Sequence, residues 1–423
     1  MYTNANIRIG LVLLLLSVGC RDTAVVDPPG ETPPAEPPGP EPSDWSPPAR
    51  IPTLPAAVYG THLISSLALD ALGGLHAVTL EQSRAGETRG KGLRVAYVRR
   101  ENGNWSEPVG IDTTAAVSEL PRVVAGPDRQ IHVFWYENLR LPAQPRTVTD
   151  LLQRTWDGTR WSAPTSLYQE TGRFGIVASS LAATLDGGGR IHVIHHTDGR
   201  GFGHLVRGRD GWLPASYLNQ PGPYASWVRR VGAGDLELTW IGGIIPPGGG
   251  SARSDVLTRS LRGAGWTPAV EVMRDPLNYS HAPQMVIDAT GLRHVVWLEG
   301  ANGQLSPRAV LYSTSRDGIA WSPPTDITPA ERAGQWLASP RLVVDRKDRL
   351  HLVFSRFESD AGNPAHFYMR RENGAWSPAQ RLFASLGVSN TEIEIAFDGR
   401  DTIHAVWRSG DGNFYSSTLD VSR

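Results

Sequence analysis

The sequence predicts an all-β fold, a seven-bladed β-propeller of four-stranded blades in which an N-terminal strand closes the last blade. Three observations predict it. Tryptophan recurs in seven short motifs, an apolar second-strand pattern also recurs seven times, and the two series are out of phase. The motifs are Trp45-Ser46-Pro47-Pro48, Trp105-Ser106-Glu107-Pro108, Trp161-Ser162-Ala163-Pro164, Trp212-Leu213-Pro214, Trp266-Thr267-Pro268, Trp321-Ser322-Pro323-Pro324 and Trp376-Ser377-Pro378. They lie 51 to 60 residues apart and hold half of the fourteen tryptophans. Self-similarity at such a period marks a repeat architecture. A residue present in every repeat serves the scaffold, so chemistry is expected where the repeats differ.

Each unit has one grammar, which blade 5 shows. Gln284-Met285-Val286-Ile287 is a short apolar strand, and Asp288-Ala289-Thr290-Gly291 is a turn. Arg293-His294-Val295-Val296-Trp297 is the second strand, Val310-Leu311-Tyr312-Ser313 the third, and the run from Trp321 to Ile327 the fourth. The second-strand pattern returns at Leu75-His76, Ile131-His132, Ile191-His192, Leu236-Glu237, Leu350-His351 and Ile403-His404. The first tryptophan motif precedes every histidine strand, and the last unit stops after its third strand. Circular closure explains both: Trp45–Ile51 supplies the outer strand of the last blade, which leaves no open blade edge.

The N-terminus is read separately. Arg8 precedes an apolar run, Ile9 to Gly19, too short to span a bilayer, and Cys20, the only cysteine, follows it. This resembles a bacterial lipoprotein signal, which implies cleavage after residue 19 and lipidation of Cys20. Arg21, rather than aspartate, then points to the outer membrane, on either of its sides. Residues 20–42 form a proline-rich linker that can bury no core, and the propeller is expected over 43–423. With a formal net charge of −1 there is no electrostatic case for nucleic acid.

The turns Thr155-Trp156-Asp157-Gly158-Thr159-Arg160-Trp161 and Ser315-Arg316-Asp317-Gly318-Ile319-Ala320-Trp321 resemble the Asp-box of bacterial neuraminidase (BNR) repeats in the sialidase superfamily. The resemblance implies a propeller and leaves activity open. Arg50-Ile51-Pro52 also looks like the Arg-Ile-Pro motif whose arginine holds the substrate carboxylate in sialidases. It falls at the end of a Trp-Ser-Pro strand, however, and is assigned to the closing blade.

The six second-strand histidines come one per blade, so they form a ring and do not converge as metal ligands must. They are read as structural, and no metal or cofactor is expected. Aligning the blades on the turn Asp gives a variable, mostly polar ring at the early first-strand position: Ser66, Arg122, Ala182, Trp227, Gln284, Arg341 and Glu394. Glu81, Glu137 and Glu299 stand at second-strand exits with Arg356 and Arg408, and blade 3 carries His195 and His196. Arginine forks and an aromatic platform suit an acidic sugar or a peptide carboxylate. The expected function is therefore that of a lipid-anchored, monomeric envelope propeller that binds a glycan or protein ligand on its top face. A sialidase-like glycoside hydrolase or polysaccharide lyase is the alternative, and a structural scaffold the third reading. Alanine at both Arg122 and Arg341 is expected to abolish binding with little loss of stability.

Overall fold

The computed structural model describes residues 44–422 apart from 55–62, 83–92, 113–116, 128, 141–146, 173–179, 198–200, 219–222, 232–234, 245–252, 264, 274–278, 301–306, 329–335, 358–363 and 384–391. Cys20, the signal and the linker lie outside the described residues. The fold is β throughout, with no helix among the described residues. Seven antiparallel blades of four strands follow one another along the chain. In blade 1 they are Leu63–Leu69, Leu75–Gln82 and Leu93–Glu101, with an interrupted outer strand at Asn104–Trp105 and Val109–Gly110. Blades 4 and 5 are also joined by one parallel bridge, Ser254 to Tyr279.

Blade 7 is built from both ends of the chain. Ile393–Phe397, Thr402–Arg408 and Phe414–Asp420 are completed by Ala49–Ile51, in the register Ala49↔Ser416, Arg50↔Tyr415, Ile51↔Phe414. Arg50 lies in that closing strand and donates from Nη2 to Asn413 Oδ1 at 2.7 Å. The Trp-Ser-Pro motif has a local cause, seen also at this seam. Ser46 N–H donates to Thr418 O at 2.8 Å, and Ser46 Oγ accepts from Thr418 N–H at 2.9 Å. Ser106 with Arg99, Ser162 with Thr155 and Ser377 with Arg370 repeat the exchange. The hydroxyl thus replaces a ladder carbonyl just where the following proline ends main-chain pairing.

Second strands lie between neighbouring strands and neighbouring blades, so they read as near-continuous apolar runs rather than alternating ones. Arg293–Gly300 is buried at every position. Its histidine is held by a relay that three blades share. One oxygen of the turn carboxylate caps the turn, as Asp288 Oδ1 does for Thr290 N–H and Leu292 N–H. The other meets the imidazole: His76 Nε2 to Asp70, His294 to Asp288 and His351 to Asp345, at 3.1–3.2 Å. On the far side, Nδ1 meets Tyr97, Tyr312 and Tyr368 Oη at 2.7–2.8 Å. These three histidines are thus held as structural groups inside their own blades. In blade 4, Glu237 replaces the histidine and takes Arg262, Arg293 and Ser260 instead.

The third-strand partner in this relay is also where the next blade docks. Trp161 of blade 2 meets Tyr97 of blade 1 edge-on at 4.9 Å, Trp376 meets Tyr312 at 5.5 Å, and Trp45 meets Tyr368 at 5.9 Å. At three of the four blades where that position is not tyrosine, the indole N–H finds an acceptor; at Thr258 of blade 4, Trp321 Nε1 has none among the described residues. Trp105 donates to Ser416 Oγ at 2.9 Å, Trp212 to Gln153 Oε1 at 3.0 Å and Trp266 to His204 Nδ1 at 3.2 Å. In blade 3 this fixes both tautomers. His204 Nδ1 accepts from Trp266, so its Nε2–H donates to His192 Nδ1 at 2.9 Å, and His192 Nε2–H donates to Asp186 at 3.1 Å.

Protonating His204 would cancel an acceptor inside the fold, and burial pushes its pKa down to about 3. Burial likewise lowers His366 to about 3 and His404 to about 4. A histidine whose folded pKa lies below its unfolded value stabilises fully above about pH 6.5, and that stability drains away as pH falls toward the folded pKa. Each such group contributes a slope of about 1.4 kcal/mol per pH unit in that window. Urea midpoints are therefore expected to drop steeply from pH 7 to pH 4. His204→Gln, which copies blade 2 and keeps an acceptor for Trp266, is expected to flatten the slope by that one proton. An unchanged slope would refute the buried neutral assignment.

Candidate functional site at the channel mouth

First strands from blades 1, 2, 3, 5, 6 and 7 line a channel of about 520 Å³. Its walls are largely apolar, and Arg122 and Glu394 are its charged lining residues. The seven aligned ring residues stand at one level of the ladder. Ser66, Arg122, Ala182, Trp227, Gln284, Arg341 and Glu394 pair with Val78, Phe134, Ile194, Thr239, Val296, Val353 and Val406. The side chain of Trp227 lies outside the described residues.

Immediately before this level, blades 2, 5 and 6 carry the same irregularity. The register shifts between Glu119 and Arg122, between His281 and Gln284, and between Ala338 and Arg341. Inside each bulge a non-glycine residue takes left-handed φ: Leu120 at 48°, Ala282 at 47° and Ser339 at 49°. Proline follows in every case, as Pro121, Pro283 and Pro340. Proline has no N–H for the ladder, so within a strand it belongs at an interruption of this kind. A left-handed non-glycine residue costs about 1 kcal/mol or more, and bulges re-aim the side chain that follows. The residue aimed here is Arg122, Gln284 or Arg341.

The two arginines are held alike. Arg122 Nη1 donates to Pro121 O at 2.9 Å and Arg341 Nη1 to Pro340 O at 3.0 Å. Each then reaches the next blade. Arg122 Nε donates to Leu181 O at 2.8 Å, whereas Arg341 donates from Nε and Nη2 to Glu394 Oε1, both at 2.7 Å. Burial holds the Arg122 pKa below its ordinary value, against the pull of Glu394. Burial acts the same way on Arg341, but the charge and hydrogen bonds of Glu394 outweigh it and raise the pKa. Arg122, Arg341, Glu394 and Glu392 are close enough to act on one another electrostatically. The mouth is thus a compact cluster of mixed charge.

The exit carboxylates do not join it; they serve their own blades. Glu81 accepts from Leu54 N–H at 2.8 Å and Thr79 Oγ1 at 3.0 Å. Glu137 accepts the Trp135 indole N–H at 3.1 Å, and Glu299 accepts those of Trp297 at 2.7 Å and Ser280 Oγ at 2.8 Å. Arg356 lies over the Phe367 ring, 3.9 Å from its centroid. His195 is fully buried, with burial pushing its pKa down to about 4. A Cβ on Gly203 would come within 2.1 Å of its Nε2. His196 is half-buried, and its backbone N–H lies 3.2 Å from both Ser180 O and Tyr136 Oη.

Sequence reasoning missed His281 and Glu119, which precede the bulges of blades 5 and 2. His281 is half-buried and its pKa is lowered by burial. Its Nε2 has no hydrogen-bond partner among the described residues. Burial raises the Glu119 carboxyl, which accepts from Asn138 at 2.9 Å. The signal for both was the proline inside a predicted inner strand, at Leu120-Pro121-Arg122, Ala282-Pro283-Gln284 and Ser339-Pro340-Arg341.

No protein-family model matches this chain. No curated protein matches it either. Among solved structures it resembles an ulvan lyase, a polysaccharide lyase of a new family, at 11% identity and a TM-score of 0.57, over 89% of this chain and 93% of that one. A protein of unknown function from Dyadobacter fermentans matches at 10% identity and 0.55, over 90% and 100%. An α-L-arabinanase of Penicillium chrysogenum, complexed with arabinobiose, matches at 12% and 0.50, over 90% and 99%. Sialidase and arabinofuranosidase structures are also among the structural neighbours. At such identities the first three likenesses establish the propeller fold.

The ion pair revises the stability expected of alanine variants. Arg341 and Glu394 are 17% and 9% exposed in their side chains, so removing one strands the other in a poorly solvated place. Arg341→Ala is expected to cost about 3 kcal/mol, at the low end for a buried pair because solvent still reaches it. Arg341→Met with Glu394→Leu is expected to recover most of that in urea denaturation. A double variant that loses as much as the two single variants added together would show that the pair is not coupled.

Proposed function

We propose that this propeller is a carbohydrate-active enzyme that takes an acidic saccharide at its channel mouth and cleaves it by elimination. The observation that carries the reading is Arg122, aimed by a proline bulge that blades 5 and 6 repeat at the same ladder level, with Arg341 beside it held by Glu394. A guanidinium fork matches a carboxylate, and a uronate is the carboxylate that sugars offer. Neutralising it acidifies the proton on the adjoining carbon, which elimination must remove. A neutral base is then needed, and His281, kept neutral by burial beside the mouth, suits that role. The base takes the ring proton, the electron pair forms the ring double bond, and the glycosidic oxygen leaves with a proton from an acid or water.

Hydrolysis would ask for two carboxyl groups about 5–9.5 Å apart across the bond. Glu394 is committed to Arg341, and Glu81, Glu137 and Glu299 to their own blades, which weighs against it. The ulvan lyase with a similar fold was solved bound to -[GlcA(1-4)Rha3S]-, an acidic chain of the class proposed here. We also infer that the enzyme works at a bacterial envelope, lipid-anchored through Cys20. The signal-like run from Arg8 to Cys20 supports this, and the Asp-box-like turns at Asp157 and Asp317 fit a sialidase-superfamily propeller.

The test is incubation with polyuronides and sulfated uronate polysaccharides. Unsaturated uronate ends, seen by ultraviolet absorbance, are expected, with the rate falling at least about a hundredfold in Arg122→Lys, which keeps charge but loses the fork. Reducing ends without absorbance would indicate a hydrolase, and binding without product a lectin-like propeller. No binding at all would refute the site. In cells making the full chain, activity is expected to sediment with membranes and to become soluble in Cys20→Ser.

A further inference from the structure

We propose that Gln284 is a specificity-determining residue of the channel mouth. Its Oε1 would accept a hydrogen bond from a hydroxyl or amide N–H beside the carboxylate of the bound saccharide. The proposal rests on the acidic-saccharide reading above and narrows its ligand to a uronic-acid sugar with an unblocked donor near the acid group.

Three independent features of Gln284 converge. It stands at the same ladder level as Arg122, Arg341 and Glu394. It follows the same bulge as the arginines, with Ala282 in left-handed φ and Pro283 next. It is 4% exposed, and its Oε1 is shielded with no hydrogen-bond partner among the described residues. The third feature is the telling one. Two residues further along the strand, Val286 packs into an apolar cluster with Leu337 and Leu342 of blade 6. An apolar residue at 284 would extend that cluster and leave nothing unsatisfied. A buried amide oxygen without a donor is instead a standing cost, since buried polar groups are nearly always paired. A ligand that brings a donor removes it. Arg122 provides for the negative charge, and the amide provides for the group next to it, which separates a uronate from a bare anion or a sulfate ester.

The experiment uses the full chain, a glucuronate-ended oligosaccharide and its O-methylated counterpart, with binding followed by calorimetry and stability by thermal melting. Gln284→Met keeps the volume and removes the acceptor. It is expected to bind the parent oligosaccharide about tenfold more weakly, the value of one lost hydrogen bond, while melting no lower than wild type. Wild type is expected to bind the O-methylated compound as weakly as the variant binds the parent. If Gln284→Met binds like wild type while Arg122→Lys weakens binding, the mouth is the site and the assignment of Gln284 is overturned. A lower melting temperature in Gln284→Met overturns it too, because Gln284 would then be structural. If wild type binds neither compound, the acidic-saccharide reading fails and this one with it.

Discussion

The indole of six of the seven outer strands meets a side chain of the blade before it, and the ring depends on that contact. On the receiving side is one third-strand position, filled by Tyr97, Gln153, His204, Tyr312, Tyr368 or Ser416 according to blade. In the tyrosine and histidine blades it also anchors the second-strand histidine, which in turn holds the turn carboxylate. Blade interior and blade interface therefore share one side chain. The contact between Trp105 and Ser416 is the same contact at the seam, so joining the two ends of the chain uses no special device beyond the short strand Ala49–Ile51.

This division of labour leaves the inner face of the ring open to variation. Outer strands, turns and second-strand histidines repeat because they carry the interlock. First strands need only pack apolar residues such as Val123, Met285 and Leu342 below the mouth. The position above them varies, and it holds serine, arginine, alanine, tryptophan, glutamine, arginine and glutamate in turn. Charge accumulates there for the same reason. Arg341 and Glu394 compensate each other across a blade boundary, and Arg122 makes its contacts to carbonyl oxygens instead.

Much of this was legible in the sequence. The repeat period set the blade count, the phase offset between the two motif series set the closure, and the turn aspartates aligned the ring residues to one ladder level. The six histidines, one per blade, were legible as structural from their spacing. What was not legible was depth. Glu81, Glu137 and Glu299 follow their strand histidines at the same distance, and they read as ligand-binding candidates on the top face because alternation does not reveal where a strand leaves the sheet. Trp135-Tyr136-Glu137 and Trp297-Leu298-Glu299 did contain a clue, since residues two apart share a face and an indole N–H wants an acceptor. The bulges were hidden for another reason. A proline in an inner strand signals an interruption, but whether the next side chain turns into the channel depends on a backbone angle that composition does not report. Arg341 and Glu394 were each predicted for the mouth; their pairing needed the neighbouring blade.

The proline bulge also bears on how such a molecule changes over time. Because the angle is set by the residue before the proline and by the proline itself, the residue after it is presented in a fixed attitude whatever its chemistry. Blades 2, 5 and 6 show the same fitting holding two different chemical types, arginine and glutamine. A single codon at such a position can exchange one recognition group for another without renegotiating strand register, blade packing or closure. The propeller then behaves as a socket board, on which new specificities are tried one plug at a time while the wiring behind them stays the same.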